Sequence, residues 1–344
     1  MNIYGYTVKM LESYFESKNE NIAKAKIVFK ALYRDKIKSF DQISALSKPV
    51  TDMLSNDFEI GHAKVIDKSE NNDTCKLLFE LQDQSAIETV IMKHDYGNGV
   101  CISTQVGCNM DCAFCESGKL KKVRNLETFE MVQQVLYVTD VLGIPVSHVV
   151  LMGIGEPFDN YDKVIDFTDI ITDQLGLGIA ARHVTISTSG IVPKIIEFSK
   201  REVVNSLAVS LHAPDNELRN KLMPINKKYP IEQLVDAVRI YVENGNKKAT
   251  FAYIMIKDVN DSDECAQKLA NLIKGIKCYV NLIPYNETSN SAFRKSDKER
   301  ISSFFDILKK NGVNVTVRRE FGGELKAACG QLSAEHRKKI NFKR

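Results

Sequence analysis

The strongest single signal in the chain is Val106-Gly-Cys108-Asn-Met-Asp-Cys112-Ala-Phe-Cys115. It places three cysteines at C-x3-C-x2-C spacing directly after a predicted strand, Val100–Gln105. On a helix the three would share one face, but Gly107, Asn109 and Asp111 favour a loop wrapped around a bound group. Three closely spaced thiolates are typical of a soft metal centre.

Two kinds of metal centre could use these cysteines. A structural zinc site needs four protein ligands, usually from paired C-x2-C units. No fourth cysteine or histidine lies near in sequence, and the closest downstream histidine is His148. An iron–sulfur cube usually has one cysteine on each iron, so three cysteines leave one iron open for a substrate. The spacing favours a [4Fe-4S] cluster with an open iron, and zinc or a chance spacing is the alternative.

Outside this stretch, segments of strand and helix character alternate. The predicted strands are Val100–Gln105, Ser147–Gly153, His183–Ser189, Ser206–His212, Ala249–Ile256, Cys278–Pro284 and Asn314–Arg319. The predicted helices lie near Glu127–Leu142, Tyr161–Leu175, Ile231–Asn244, Ser262–Ile276 and Ser296–Asn311. Strands separated by helices form βαβ units and a parallel sheet. We therefore predict an α/β fold with a complete or partial barrel, whose chemistry lies at the C-terminal ends of the strands.

The first part of the chain follows other patterns. Residues 1–60 are helical in character, with Ala23–Tyr33 amphipathic and residues 37–54 divided into short helices near Pro49. The next segment alternates or runs apolar like strands, and His94–Val100 is typical of a turn or linker. The predicted division is a helical accessory domain at 1–60, a strand-rich linker at 61–98, a partial (βα)6-type barrel at 99–335 and a basic tail at 336–344.

Composition excludes little. The chain has 344 residues, 44% apolar and 26% charged, which is typical of a globular protein with one or two domains. Its net charge of +3 neither indicates nor excludes a nucleic-acid partner. The eight cysteines are unevenly spaced in a chain without a secretory signal, which favours metal binding or catalysis over a disulfide framework. No apolar run approaches the ~18 residues that span a bilayer, so we expect a cytoplasmic protein.

Six further motifs follow in order. They are Met152-Gly-Ile-Gly-Glu-Pro157, Ser187-Thr-Ser-Gly190, Ser210-Leu-His212, Met223-Pro-Ile-Asn226, Asn281-Leu-Ile-Pro-Tyr-Asn286 and Ala327-Ala-Cys-Gly-Gln-Leu332. With the cysteine signature they resemble the RlmN/Cfr family of radical S-adenosylmethionine (SAM) RNA methyltransferases over nearly the whole chain. Gly153–Asn160 and Ser187–Gly190 resemble the RlmN branch, which methylates adenine C2, more than the Cfr branch, which methylates C8. Two stretches depart from the family pattern, Glu116-Ser-Gly118 and Gly323-Glu-Leu-Lys326.

The resemblance implies two cofactors. A [4Fe-4S] cluster would be held by Cys108, Cys112 and Cys115, and its open iron would bind SAM and reduce it to a 5′-deoxyadenosyl radical. The residues that match the family's SAM contacts are Gly155, Glu156, Ser187, Ser210, Leu211, His212 and Asn286. Glu156 would accept a hydrogen bond from the SAM amino group. Gly155 would let the backbone approach closely because it has no Cβ.

The resemblance also implies a methyl relay, because C2 of adenine is electron-poor and offers no nucleophile. Cys329 would take a methyl group from one SAM as a thiolate. A radical made from a second SAM would remove hydrogen from that methyl group, which then adds to the base. Cys101 resembles the thiol that resolves this adduct by forming a disulfide with Cys329. Glu88 occupies the place of the proposed proton acceptor, and whether Glu88 or Cys101 takes the base proton stays open. The remaining cysteines, Cys75, Cys265 and Cys278, match no motif and are predicted to be structural.

The partners implied are 23S rRNA, tRNA and an external electron donor of the flavodoxin type, with no membrane and a monomeric enzyme. Basic residues near the predicted mouth are a candidate phosphate-binding surface: Lys119, Lys121, Lys122, Arg124, Lys227, Lys228, Arg318, Arg319, Arg337, Lys338, Lys339, Lys343 and Arg344. A second basic group, either a solvated helix face or an RNA-facing patch, is Lys24, Lys26, Lys30, Arg34, Lys36 and Lys38.

Two other functions stay open. One is Cfr-like methylation of C8 in 23S rRNA, which would give resistance to ribosome-targeting antibiotics. The other is a zinc-stabilised RNA-binding protein without catalysis.

Overall fold

A computed structural model of the chain describes residues 1–61, 63–245, 247–287 and 292–318. The strands are β1 (Lys64–Glu70), β2 (Thr74–Glu80), β3 (Ala86–His94), β4 (Gly97–Cys101), β5 (Gln105–Val106), β6 (Arg124–Asn125), β7 (Val146–Leu151), β8 (Val184–Thr188), β9 (Ser206–Ser210), β10 (Ala249–Met255), β11 (Cys278–Pro284) and β12 (Asn314–Val317). The α-helices are α1 (Val8–Ser17), α2 (Lys24–Tyr33), α3 (Lys48–Asp57), α4 (Thr128–Leu136), α5 (Tyr161–Thr172), α6 (Val192–Ser199), α7 (Asn216–Leu222), α8 (Ile231–Glu243), α9 (Asp263–Leu272) and α10 (Lys298–Lys310).

A sheet of ten strands organises the described residues, in the order β1-β2-β3-β4-β7-β8-β9-β10-β11-β12. Neighbouring strands are parallel from β4 to β12 and antiparallel from β1 to β4. The parallel strands are connected through helices, which confirms the predicted α/β class and barrel-type fold. Their centre is apolar, since Val149, Ile186, Leu207, Phe251 and Val280 are fully or almost fully buried. Within the described ranges no helix is both long and apolar enough to cross a bilayer.

The predicted barrel elements are present, with shifts at their ends. The first strand differs most, because β4 begins at Gly97 and ends at Cys101, whereas the prediction was Val100–Gln105. Gln105 instead pairs with Asn125 in the separate β5–β6 ladder. Helices α6 and α7 were not predicted. They have only 8 and 7 residues, too few for a clear helical period in the connections after β8 and β9.

The N-terminal helices pack on one another and on the barrel. The buried face of α2 includes Ala25, Val28, Phe29 and Leu32, as their helical spacing predicts. The predicted division near Pro49 is confirmed, because a short 3-10 helix at Phe40–Gln42 ends before α3 begins at Lys48. Pro49 lies in the first turn of α3, where a missing N–H leaves no hydrogen bond unmade. The turn Ile3–Gly5 packs against α4, and the Tyr33 hydroxyl donates to the Tyr4 carbonyl at 2.7 Å. These contacts fix α2 relative to the barrel.

Strands β1, β2 and β3 continue the sheet beyond β4. Only Asp95 and Tyr96 separate β3 from β4, so His94–Val100, predicted as a turn or linker, is mostly strand. Glycine and asparagine at positions 97–99 are common in turns and caused this error. The hairpin places Val90 directly opposite Cys101 in the ladder. Residues of the strand-rich segment are thereby brought to the edge of the parallel sheet.

Candidate active site

The polar residues predicted to bind SAM gather where β7, β8 and β9 end. Gly155 and Glu156 follow β7 by a few residues, Ser187 lies near the end of β8, and Ser210 ends β9. Because parallel strands bring their carboxyl ends to the same edge, these residues share one end of the barrel. Asn286, two residues beyond β11, is exposed at the surface.

The cysteine stretch forms a loop, as its glycine, asparagine and aspartate content predicts. Three backbone hydrogen bonds shape it: Cys108 N–H donates to the Leu120 carbonyl at 2.8 Å, Ala113 N–H to the Leu222 carbonyl at 2.9 Å, and Cys115 N–H to the Cys112 carbonyl at 3.0 Å. Cys108 is buried, and Cys112 and Cys115 are half-buried. Two of these bonds close the loop on itself, and the third holds it to the end of α7.

The surroundings of Cys108 and Cys112 disfavour the ionised form of their thiols. Burial raises the pKa of the Cys108 thiol to about 12, with further contributions from the negative charges of Glu156 and Cys115. Burial and the neighbouring thiols likewise raise the pKa of Cys112, and only Arg219 opposes them. Thiolates in such a place need a bound cation to hold them.

The geometry of the donor set helps to identify that cation. The loop offers three thiols, those of Cys108, Cys112 and Cys115, whereas a structural zinc site takes four protein ligands. In a cube each cysteine binds a different iron, so the three sulfurs need not point at one centre. The donor set fits a [4Fe-4S] cluster held by Cys108, Cys112 and Cys115 better than it fits zinc.

Glu156 presents a buried carboxylate held by neutral hydrogen-bond donors. Its Oε1 accepts from the Phe158 N–H at 3.0 Å, and its Oε2 accepts from the Ser189 N–H at 2.7 Å. Burial raises the pKa of this carboxyl, while the hydrogen bonds to Ser189 and Phe158 oppose the rise. The carboxylate has no ion-pair partner among the described residues, which suits a site for a cationic ligand group.

Gly155 is required by the packing on its protein side. Its φ is +115°, a conformation that favours glycine. A Cβ added there would lie only 2.7 Å from Gln105 Cβ and 2.8 Å from Thr104 Oγ1, so no larger residue fits without a shift. The prediction explained this glycine by approach to a ligand, but the structure shows a close approach to the strand β5 region.

Gln105 was missed by the sequence analysis. Its Oε1 accepts from the Glu156 N–H at 2.9 Å, and its Nε2 donates to Asn125 and Asp159 at 2.9 Å each. The side chain is fully buried and so fixes the turn that carries the carboxylate. A glutamine at the end of a predicted strand carries no sequence signal for this role.

His212 is held in an uncommon conformation as a neutral ring. Its φ is +57°, and its Nδ1 accepts from the Ile254 N–H at 3.0 Å, which leaves the proton on Nε2. Burial and the charge of Arg219 lower its pKa to about 3. Its ring meets the Phe114 ring edge-on at 4.9 Å, so the residue after β9 touches the cysteine loop directly.

Arg219 in α7 is the second residue that the sequence analysis missed. It is wholly buried, and its guanidinium donates to the carbonyls of Leu211, Ser189 and Ser210 and to the side chain of Asn226. Burial lowers its pKa to about 10, and the thiol of Cys112 opposes this. Arg219 thus joins the ends of β8 and β9 to the motif at Met223–Asn226.

Cys101 and Glu88 lie on adjacent strands, β4 and β3, where the parallel part of the sheet meets the antiparallel part. Cys101 faces Val90 in the antiparallel ladder, and Glu88 lies two residues before Val90, so both project from the same face. Both are buried, and Glu88 Oε2 lies 3.3 Å from Lys76 Nζ. Lys76 was missed, because a lysine in a strand pattern is usually solvent-facing.

Several predicted residues lie outside the described residues. They include Cys329 and the basic residues Arg319, Arg337, Lys338, Lys339, Lys343 and Arg344. The predicted pairing of Cys101 with Cys329 therefore stays a prediction.

Part of the predicted basic surface is neutralised. Lys122 pairs with Asp159 at 2.7 Å, Lys119 pairs with Glu116 at 2.7 Å, and Arg124 contacts both Asp83 and Glu130. In the N-terminal group, Lys36 pairs with Asp140 and Lys24 with Glu20. Lys26, Lys30 and Arg34 are exposed. The RNA-facing role of these groups stays a prediction.

Two known family descriptions match the chain. One, "Radical SAM superfamily", matches residues 102–270, and the other, "Ribosomal RNA large subunit methyltransferase N-terminal domain", matches residues 1–60. The first covers the cysteine loop and the strand ends that carry Glu156, Ser210 and His212.

Individual proteins are similar over almost the full length. A "Probable dual-specificity RNA methyltransferase RlmN" of Spiroplasma citri is 48% identical over 97% of this chain and 98% of its own length. One of the same name from Enterococcus faecalis is 46% identical over 99% and 98%. The crystal structure of a radical SAM methyltransferase from Sphaerobacter thermophilus is 37% identical and superposes with a TM-score of 0.88, covering 96% of this chain and 98% of that one. The similarity includes the helical N-terminal part as well as the barrel.

Proposed function

This chain belongs to the RlmN family of radical SAM RNA methyltransferases, and from this premise we propose that it methylates C2 of an adenine in 23S rRNA and in tRNA. The observation that carries the proposal is the convergence of three elements at one end of the barrel. These are the cysteine loop, the buried carboxylate of Glu156 and the neighbouring pair Cys101 and Glu88.

The residues at the strand ends bind and orient the cofactors. The [4Fe-4S] cluster, when held by Cys108, Cys112 and Cys115, supplies the electron that cleaves SAM. Glu156 accepts from the SAM amino group, since its carboxylate is buried and lacks an ion-pair partner among the described residues. His212 offers its Nε2 proton as a donor, because its Nδ1 already accepts from the backbone. The other proposed SAM contacts are Gly155, Ser187, Ser210, Leu211 and Asn286.

Two cysteines carry the methyl group and release the product. The Cys329 thiolate attacks the methyl carbon of SAM, which forms a thioether and expels S-adenosylhomocysteine. After the methylene carbon has bonded to the base, the adduct loses its unpaired electron to the oxidised electron donor and the base loses its proton. The Cys101 thiolate then attacks the sulfur of Cys329 and forms the S–S bond, while the electron pair of the broken C–S bond stays on the methylene carbon, which takes up a proton to become the methyl group. The proton of the base passes to Glu88 or Cys101, which project from the same face of the sheet.

We also propose the wider organisation of the protein. Residues 1–60 form an RNA-binding accessory domain, 61–98 a strand-rich connection, 99–335 the barrel and 336–344 a basic tail. The match of two separate family descriptions to residues 1–60 and 102–270 supports this division. The enzyme works as a cytoplasmic monomer and takes electrons from a flavodoxin-type donor, since the cluster needs an external reductant.

The experiment that tests the function uses anaerobically purified full-length protein, SAM with a labelled methyl group and two RNAs, a 23S rRNA fragment and a tRNA transcript. Mass spectrometry of the digested nucleosides should show label in 2-methyladenosine from both. Label in 8-methyladenosine would assign the Cfr reaction instead. A colourless protein that contains zinc and transfers no label would overturn the enzymatic proposal.

Two cysteine variants sharpen this experiment. Cys329→Ala should retain iron and lose all transfer of label, because the methyl acceptor is gone. Cys278→Ala is the control, since Cys278 is buried at the start of β11, at the other end of the barrel. It should retain both iron and activity. Label transfer by Cys329→Ala would exclude the relay through this cysteine.

A further inference from the structure

Arg219 is a buried cation without a buried anion to match it. Its side chain is 0% exposed, and its hydrogen bonds run to three backbone carbonyls and one amide oxygen, between 2.6 and 3.1 Å. Among the described residues no carboxylate forms an ion pair with it. A buried charge held only by neutral dipoles is costly, because a cation in the interior is normally paired.

The glycine at position 190 leaves space for the Arg219 side chain. Gly190 has a φ of +113°, and a Cβ there would lie 3.2 Å from Arg219 Nη2. Ser189, the preceding residue, donates its N–H to Glu156 and accepts from Arg219 through its carbonyl. The same residue therefore separates a buried carboxylate from a buried guanidinium. Direct pairing of the two would have neutralised both.

The cysteine loop, which could carry a matching negative charge, packs beside the site of Arg219. Arg219 donates to the Leu211 carbonyl, and the next residue, His212, contacts Phe114 of this loop. The helix that carries Arg219 is bonded to this loop through Ala113 N–H and the Leu222 carbonyl at 2.9 Å. Cys112 also packs against the apolar group formed by Leu222 and Met223.

We propose that Arg219 is the internal counter-charge of the iron–sulfur cluster, and a positioning residue that makes the cluster easier to reduce. The inference rests on the proposed function, since it requires a cluster on Cys108, Cys112 and Cys115. Three thiolates give the site a negative charge, and reduction adds another. A fixed positive charge nearby stabilises the reduced form more than the oxidised form.

The test compares three variants of the reconstituted full-length protein. Arg219→Met removes the charge, and Arg219→Lys keeps it while losing part of the hydrogen bonding. Lys247→Met is the matched control. Lys247 is also a buried cation bonded to carbonyls, those of Ser199 and Arg201, but it lies before β10, at the opposite end of the barrel.

The main measurement is the cluster reduction potential from a redox titration followed by electron paramagnetic resonance. In Arg219→Met we expect the ratio of reduced to oxidised cluster at a given potential to fall about tenfold, which corresponds to about 59 mV for one electron. Arg219→Lys and Lys247→Met should keep the wild-type potential. If Arg219→Met also keeps it, Arg219 is only a structural link between strands and the inference is wrong.

A second measurement does not depend on reduction. The gain in melting temperature on cluster reconstitution should be smaller in Arg219→Met than in wild type, and equal to wild type in Lys247→Met. Equal gains in all proteins would overturn the inference. Should Arg219→Met not fold, Arg219→Gln, which keeps an amide donor, is measured in the same two ways. A wild-type protein that binds no cluster would instead overturn the proposed function, which separates the two failures.

Discussion

At the carboxyl ends of β7, β8 and β9 the barrel buries opposite charges and keeps them apart, whereas at the amino ends partly exposed aromatic rings stack on one another. Glu156 and Arg219 bond to the same residue, Ser189, and not to each other. At the amino end His148 and His183 stack at 4.3 Å, and Tyr96 meets His148 edge-on. Burying two opposite charges without pairing them is unfavourable for folding. The separation of Glu156 and Arg219 is therefore expected only at a site that binds ligand groups of both signs. The stacked rings need no ligand.

The sharpest test of this difference exchanges a cysteine at each end. Cys112→Ala should reduce iron content to background and lower turnover more than the roughly 10–100-fold typical of losing an outer partner, because a cluster ligand is removed. Cys278→Ala, at the amino end of β11, should keep its iron. Iron and optical spectra of the anaerobically purified proteins check both. Equal iron in the two variants would show that the cysteine loop is not the cluster site.

The next largest effect is expected at Glu156, the buried carboxylate that is kept apart from Arg219. Glu156→Gln should raise the dissociation constant for SAM about 10–100-fold, because a hydrogen bond to a charged group contributes about 1.5–3 kcal/mol. The control is Asp169→Asn, which removes a carboxylate paired with Arg201 on the outside of the barrel. Equilibrium dialysis with the reconstituted proteins measures both. An unchanged affinity in Glu156→Gln would mean that the carboxylate only orders its own turn.

The sequence predicts the site at the carboxyl ends of the strands better than it predicts the buried residues that support this site. The βα alternation places the site at strand ends, and Gly107, Asn109 and Asp111 predict the loop correctly. Glu156 and His212 were found only through motif resemblance. Spacing alone does not indicate which strands are neighbours, and the antiparallel run from β1 to β4 was not anticipated.

Arg219 and Lys76 show why supporting residues escape sequence analysis. Both are charged residues in short elements, where the usual expectation is exposure. One signal was available for Arg219, which lies three residues before the buried Leu222 and hence on the same helix face. For Lys76 the strand Thr74–Glu80 is buried on both faces, so no alternation marks it. Burial of such residues depends on tertiary partners that a single sequence does not show.

A smaller effect is expected from backbone strain at the two ends. Gly155→Ala should lower the free energy of unfolding by about 2–4 kcal/mol, since the positive φ and the contact with Gln105 are both unfavourable for a side chain. Gly143→Ala, before β7, should cost about 1–2 kcal/mol, because its φ is +65° but an added Cβ meets nothing within 4 Å. Denaturant unfolding of the apoproteins compares them. A larger loss for Gly143→Ala would contradict the view that the carboxyl end is the tightly packed one.

The smallest effect is a pH dependence that belongs to the amino end. Partial burial, and the neighbouring His183 and His94, lower the pKa of His148 below its usual 6.5, and its Nδ1 lies 2.9 Å from the Ser147 hydroxyl. In the unfolded chain this histidine takes up its proton at a higher pH than in the folded protein. Stability is therefore fully present above the unfolded pKa and is lost as pH falls from there toward the folded pKa. We expect the free energy of unfolding of the His148→Gln apoprotein to fall slightly less between pH 7 and pH 5 than that of the wild type, as measured by urea unfolding. At pH 8 its free energy of unfolding should be close to that of the control variant His183→Gln. If the free energy of unfolding of His148→Gln depends on pH as it does in the wild type, protonation of His148 does not destabilise the stacked rings. The amino end would then tolerate charge like an ordinary protein surface.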